Sequence, residues 1–127
     1  MLVVEDDPGL RRQLKWALDG FEVDFAGTRE EAIAAVRRHE PAIVLQDLGL
    51  PPDPNGVEEG FATIAEIQRL APRAKIIVVT GREGREPALR AIALGAYDFC
   101  QKPVEMQMLS LIIDRAHRIY QLELQNQ

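Results

Sequence analysis

Four short apolar runs, Leu2-Val3-Val4, Val23 to Ala26, Ala42 to Leu45 and Ile76 to Val79, recur along the chain with helix-like segments between them. That alternation constrains the fold more than any other feature. Three of the runs are continuous and rich in Val and Ile, as strands covered on both faces of a parallel sheet must be. The exception, Phe21-Glu22-Val23-Asp24-Phe25, alternates apolar and polar residues and reads as a half-exposed edge strand. Tyr97 to Cys100 supplies a fifth short candidate. Parallel strands need helical crossovers of one hand, so strict alternation predicts a doubly wound α/β sandwich around a five-stranded parallel sheet.

The intervening segments place apolar residues at helical spacing. Leu10, Leu14, Ala17 and Leu18 form one stripe, with Gly20 as its C′ stop. Thr28 and Glu31 make a capping box ahead of Ala32, Ile33 and Val36. Phe61, Ile64, Ile67 and Gln68 mark a third helix, and Leu89, Ile92 and Ala93 a fourth that ends at Gly95. Met108, Leu109, Ile112, Ile113 and Ala116 open a fifth. Trp16, on the first helix, is expected to pack partly buried. Residues Leu48 to Gly56 hold three prolines and two glycines, which excludes helix and strand and leaves a long, stiff loop of the kind that often carries function.

With 127 residues the chain has enough sequence for one domain and too little for two. No apolar run approaches the ~20 residues that span a bilayer, so no membrane association is expected. Leu2-Val3-Val4 runs straight into Glu5-Asp6-Asp7, without the basic and long apolar regions of a signal peptide. Net charge is −5, so direct contact with nucleic acid by this domain is not expected. The single cysteine, Cys100, cannot close an internal disulfide and suits a reducing, cytoplasmic setting.

In open α/β sheets, sites lie at the carboxyl ends of the strands. Glu5-Asp6-Asp7 follows the first strand, Asp47 the third, Thr80-Gly81 the fourth and Lys102-Pro103 the fifth. Taken singly, each has a plainer role: acids at a strand–helix junction cap helices, Asp47 suits a turn and Lys102 a solvated surface. Together they make coherent chemistry. Crowded carboxylates raise one another's pKa unless a cation neutralises them, and an all-oxygen cluster suits Mg²⁺. A carboxylate is also a nucleophile toward phosphorus. Asp47 as acceptor, Mg²⁺ as clamp, Lys102 as the protein's cation and Thr80 as a donor to a phosphoryl oxygen meet the needs of such a transfer.

These segments, Val3 to Pro8, Val44 to Leu48, Val79-Thr80-Gly81 and Gly95 to Pro103, resemble the CheY-like receiver domains of two-component response regulators in order and spacing, to about residue 118. The resemblance implies strand order 2-1-3-4-5. It implies Asp47 as phosphoacceptor, Glu5 and Asp6 as the acidic pair holding Mg²⁺, and the Gly49 backbone carbonyl as a further metal ligand. It also implies Thr80 and Lys102 as phosphoryl contacts, a cis Lys102-Pro103 peptide and Phe99 at an aromatic switch position. A histidine kinase is then the expected phosphodonor. Activity would be limited to self-phosphorylation and autodephosphorylation at Asp47.

Within the family, Gly95-Ala96-Tyr97-Asp98-Phe99 is similar to the NtrC-like group that drives sigma-54-dependent transcription. The Leu50-Pro51-Pro52-Asp53-Pro54-Asn55-Gly56 insertion resembles the subgroup associated with PEP-CTERM and exosortase gene clusters. The loop after Asp47 is longer than the family's Met-Pro-x-x-x-Gly pattern. Gly49 offers no side chain two residues past the acceptor, and Arg82 stands two residues beyond Thr80. Both bear on how long a phosphoryl group would last.

Residues 1–118 are read as the receiver and 119–127 as a helical extension toward an output domain, because apolar residues continue through Ile119, Tyr120, Leu122 and Leu124. A homodimer through the fourth helix, fifth strand and fifth helix is expected to transmit the signal. Two alternatives stand beside this reading. A Mg²⁺-dependent aspartyl-phosphate phosphatase of the haloacid-dehalogenase type wants a second acid two residues past the nucleophile, and position 49 is glycine. A degenerate receiver acting as an interaction module would not need the complete set of Glu5, Asp6, Asp47, Thr80 and Lys102.

Overall fold

The computed structural model describes residues 1–51, 57–81 and 85–126. Five strands alternate with five helices: β1 (Leu2–Val4), α1 (Pro8–Ala17), β2 (Asp24–Ala26), α2 (Arg29–His39), β3 (Ile43–Asp47), α3 (Glu58–Leu70), β4 (Lys75–Thr80), α4 (Arg85–Ala93), β5 (Asp98–Gln101) and α5 (Met106–Gln125). All strand pairs are parallel, in the order β2-β1-β3-β4-β5. From β1 the chain steps outward to β2 and then returns to β3 on the other side. Strand order therefore reverses between β1 and β3, and a crevice opens at their carboxyl ends.

Successive strand residues point to opposite faces, so each run feeds two cores. Leu2, Val4, Val44, Ile76 and Val78 meet Ile33, Phe61, Ile64 and Ile67 on the α2–α3–α4 side. Val3, Leu45, Ile77 and Val79 meet Leu14, Leu109, Ile112 and Ile113 on the α1–α5 side. Cover on both faces is the reason β1, β3 and β4 are continuously apolar. At the edge, β2 grades from exposed Asp24 to buried Ala26.

Helix ends follow local chemistry. Asp7 caps α1, its Oδ2 accepting from the Leu10 N–H at 2.8 Å, with Pro8 at the first helical position. Thr28 Oγ1 accepts from the Glu31 N–H at 3.1 Å. The Glu31 carboxylate reaches back to the Gly27 N–H at 2.7 Å, one residue ahead of the usual partner in a capping box. Past α4, Gly95 takes φ +113°, and the Ala96 N–H donates to the Ala91 carbonyl in the expected glycine stop.

Several expected positions are corrected. Gly20 is not the C′ residue of α1: the cap is Leu18, whose N–H donates to the Leu14 carbonyl. Trp16 is 85% exposed rather than partly buried. Leu14 and Leu18 face the sheet, and Trp16 stands two residues from each, about 200° around the helix. On α4 the inward residues are Ala88 and Ala91, while Leu89 and Ile92 face out. Two methyl-sized side chains let that helix lie close to the sheet and leave the bulkier pair outside. Met108 is likewise exposed, whereas Leu109, Ile112, Ile113 and Ala116 are buried.

The third helix begins at Glu58, one turn before Phe61. Residues 52–56 of the Pro-rich loop lie outside the described residues, but Leu48 and Leu50 before them are buried in the core. Helix α5 crosses residue 118 without a break, and Lys75 Nζ at the start of β4 reaches Glu123 Oε1 at 2.8 Å. Among the described residues no helix is long and apolar enough to cross a membrane.

Candidate functional site

The switch-point crevice gathers the polar residues that end the strands. Glu5 and Asp6 follow β1, Asp47 closes β3, Thr80 closes β4 and Lys102 follows β5. Glu5 (3% exposed) and Asp47 (7%) are buried, while Asp6 is exposed at the mouth. One carboxylate oxygen from each of the three lies within 4.8 Å of the others. Lys102 Nζ stands 3.2 Å from Asp47 Oδ1 and 3.4 Å from Glu5 Oε1. The Thr80 Oγ1 is buried and has no hydrogen-bond partner among the described residues.

Main-chain contacts fix these groups. The Glu5 N–H donates to the Ala26 carbonyl at 2.8 Å, extending the β1–β2 ladder by one residue. The Asp7 N–H donates to Glu5 Oε2 at 3.1 Å, and Arg11 Nε donates to the Glu5 carbonyl. Lys102 is set by its N–H on the Thr80 carbonyl at 2.7 Å, and the Lys102–Pro103 peptide is cis. Phe99 lies half-buried on β5 in register with Val78 and packs against the α2–α3–α4 core. Gly49 is partly buried just past Asp47, and Arg82 lies outside the described residues.

The electrostatics show a cluster short of positive charge. Burial, reinforced by the charge on Asp47, pushes Glu5 from its ordinary 4.5 up to about 7. Burial also raises Asp47, against the pull of the Lys102 ammonium and the Gly49 amide. For Lys102, burial acts to lower the pKa, and the Asp47 and Glu5 carboxylates more than offset it. Among the described residues three carboxylates face one ammonium. A hard divalent cation fits that donor set: Glu5, Asp6 and Asp47 would hold Mg²⁺, which keeps waters and accepts phosphate oxygens in such sites. Cys100, by contrast, is held up at about 11 by burial and the nearby Asp98, and its thiol is inert at neutral pH.

Two residues that sequence reasoning missed bear on the site. A Cβ at Gly60 would lie 2.4 Å from Leu48 Cα and 2.6 Å from the Leu48 carbonyl oxygen, so only glycine lets the first turn of α3 rest on the chain just past Asp47. A glycine inside a helical pattern costs about 1 kcal/mol against alanine and was the available signal. The other is Gln46, a fully buried amide in the strand that carries Asp47.

The response regulator receiver domain model matches residues 1–114. The chain is 29% identical over 97% of its length to the regulatory protein AtoC of Escherichia coli. It is 34% identical over 81% of its length to protein-glutamate methylesterase/protein-glutamine glutaminase 3 of Rhodospirillum rubrum. It spans about a quarter of each of those two proteins, 26% and 28%. The crystal structure of the receiver domain of NtrX from Brucella abortus superposes with a TM-score of 0.84 at 31% identity, over 92% of this chain and 97% of that one.

Proposed function

This chain belongs to the response regulator receiver family, and on that premise we propose that Asp47 is the phosphoacceptor, taking a phosphoryl group from the phosphohistidine of a partner kinase. The observation that carries the assignment is Lys102 Nζ, held between Asp47 and Glu5, with the Thr80 hydroxyl at the end of β4 buried and without a partner among the described residues. An Asp47 oxygen attacks phosphorus, the P–N bond of the donor breaks and an O–P bond forms. Lys102 and Thr80 then donate to phosphoryl oxygens, and Glu5, Asp6 and Asp47 would hold the metal together with the Gly49 carbonyl. Bound Mg²⁺ supplies charge neutralisation for the incoming phosphoryl group. Beyond that self-directed chemistry we assign the domain no enzymatic activity.

The same reading covers the partners. Leu89 and Ile92 on α4, Leu94 just past it, and Met108 and Leu111 on α5 are exposed, and a homodimer through α4, β5 and α5 would cover them. Phosphorylation is proposed to reach that face when Thr80 moves onto the phosphoryl group and Phe99 turns inward. Alignment with AtoC over nearly the whole chain supports an NtrC-like, sigma-54-dependent output domain; the PEP-CTERM/exosortase subgroup rests on the sequence of the Pro-rich loop. A cytoplasmic setting follows from a kinase partner. Incubation with acetyl phosphate and Mg²⁺ tests the core of the proposal. One hydroxylamine-labile phosphoryl group is expected, abolished in Asp47→Asn and largely lost in Asp6→Ala. Undiminished labelling of Asp47→Asn would place the acceptor elsewhere.

A further inference from the structure

Gln46 lies on β3 between Val4 and Val78, on the face of the sheet that packs against α2, α3 and α4. It is 0% exposed, in a row of otherwise apolar neighbours. Its Nε2 donates to the Asp47 carbonyl at 2.7 Å, and its Oε1 is buried with no partner among the described residues. The orientation of the amide is fixed by that contact, because a flip would set two carbonyl oxygens against each other. A leucine or methionine would fill the same space and remove the unpartnered Oε1, but would also take from the Asp47 carbonyl the donor that Nε2 supplies, so the amide adds little net stability. What it supplies instead is a grip on the main chain of the acceptor residue.

That grip has a counterpart one residue on. Gly60 lets α3 press directly on the Leu48 backbone. Gln46 and α3 therefore both bear on the main chain of Asp47 and Leu48, and the next residue is Gly49. We infer that Gln46 is a positioning residue: by holding the Asp47 carbonyl it aims the Asp47–Gly49 main chain so that the Asp47 carboxylate and the Gly49 carbonyl can face one cation. The inference rests on the Asp47 reading above. Groups that orient a ligand without touching the metal typically change its affinity 10–100-fold when removed.

The test uses the full chain as wild type, Gln46→Met and Gln46→Leu. Mg²⁺ is titrated by NMR on the Leu48 and Gly49 amide signals, and thermal midpoints are measured in EDTA. Both variants should bind Mg²⁺ about tenfold more weakly, at the lower end of that range, with midpoints close to that of wild type, because losing the Nε2 bond is offset by losing the unpartnered Oε1. Unchanged Mg²⁺ affinity would overturn the inference. So would a large drop in midpoint or failure of both variants to fold, since either would make Gln46 an ordinary structural residue. A wild-type chain that neither binds Mg²⁺ nor takes label on Asp47 would overturn the acceptor reading and this inference with it. Wild type that does both, beside variants that match it, would overturn the inference alone.

Discussion

Helices α3 and α4 lie on the same face of the sheet and are held there by different forces. Helix α3 buries Phe61, Ile64 and Ile67, the last two completely, and each large side chain so placed contributes roughly 1.5–3 kcal/mol. Helix α4 buries Ala88 and Ala91 among its described side chains and turns Leu89 and Ile92 outward. Among the described residues, polar contacts tie α4 and the turn after it to α3. Arg90 Nη1 pairs with Glu58 Oε1 at 3.2 Å, the Arg90 guanidinium lies 4.3 Å above the Phe61 ring, and Gln68 Nε2 donates to the Gly95 carbonyl at 2.9 Å. The helix that fixes the chain after Asp47 is anchored by burial, and the helix next to Phe99 leans on it. Segments with few buried apolar contacts open at the low end of the stability range, so α4 is built to shift at small cost.

The largest expected effect sets those two anchorages against each other. Ile64→Ala should cost about 2–5 kcal/mol in denaturant unfolding, because a fully buried side chain leaves a cavity. Leu89→Ala, at a position 59% exposed, should stay within about 0.5 kcal/mol. Comparable losses at both positions would show that α4 is anchored by more than its alanines.

Proton linkage should act on the site's side of the comparison only. Glu5 titrates near 7 in the folded chain against an ordinary 4.5, so the folded state binds its proton more tightly. That contribution is complete below about pH 4.5 and is lost as pH rises through 7, and the raised Asp47 acts in the same sense. With Mg²⁺ chelated, unfolding free energy should fall between pH 4.5 and 7.5 by an amount on the order of 3 kcal/mol, at 1.36 kcal/mol per unit. Adding Mg²⁺ at pH 7.5 should restore it. Amide protection in β1 and β3, which open with the whole fold, should follow the fall, while that of α4 should not. A parallel fall in α4 would mean that it opens only with the rest.

Gly60→Ala probes the contact by which α3 holds the site. Alanine normally favours a helix by about 1 kcal/mol, but here its Cβ meets backbone that cannot swing aside. A net loss of about 1–3 kcal/mol is expected from overpacking, with weaker Mg²⁺ binding. A gain in stability would show that the loop after Asp47 yields easily.

Sequence patterning carried the strands and the strand-end residues, and physics explains why it stopped there. Runs covered on two faces must be continuous, so β1, β3 and β4 stood out within one or two residues of their ends. Position at a strand end then brought Glu5, Asp47, Thr80 and Lys102 together without knowledge of any distance. The faces of α1 and α4 were not legible. Leu89 and Ile92 have the spacing of an inward stripe, and only the nearness of the sheet decides that Ala88 and Ala91 face it instead. Trp16 fails for the same reason, since bulk and apolarity do not say which side of a short helix is covered. Gly60 and Gln46 act on the backbone of Leu48 and Asp47, and a contact made onto the main chain leaves no periodic trace.

The smallest effect tests the tether itself. Arg90→Ala removes a cation–π contact worth about 0.5–1 kcal/mol at an exposed site. It also removes an ion pair between groups 55% and 69% exposed, worth at most about 1 kcal/mol and weakened by salt. Alanine and arginine favour a helix almost equally, so propensity hardly enters. Global stability should therefore drop by about 0.5–2 kcal/mol. Locally, amide protection in α4 should fall about fivefold, as expected for about 1 kcal/mol, while amides that exchange only with global unfolding should fall by no more than the global loss. Glu58→Gln, which keeps the Phe61 contact, should give a smaller fall, and 0.5 M NaCl on wild type should imitate Glu58→Gln and not Arg90→Ala. If α4 keeps its protection in Arg90→Ala, two alanines suffice to hold it, and the contrast with α3 is one of side-chain size without consequence for motion.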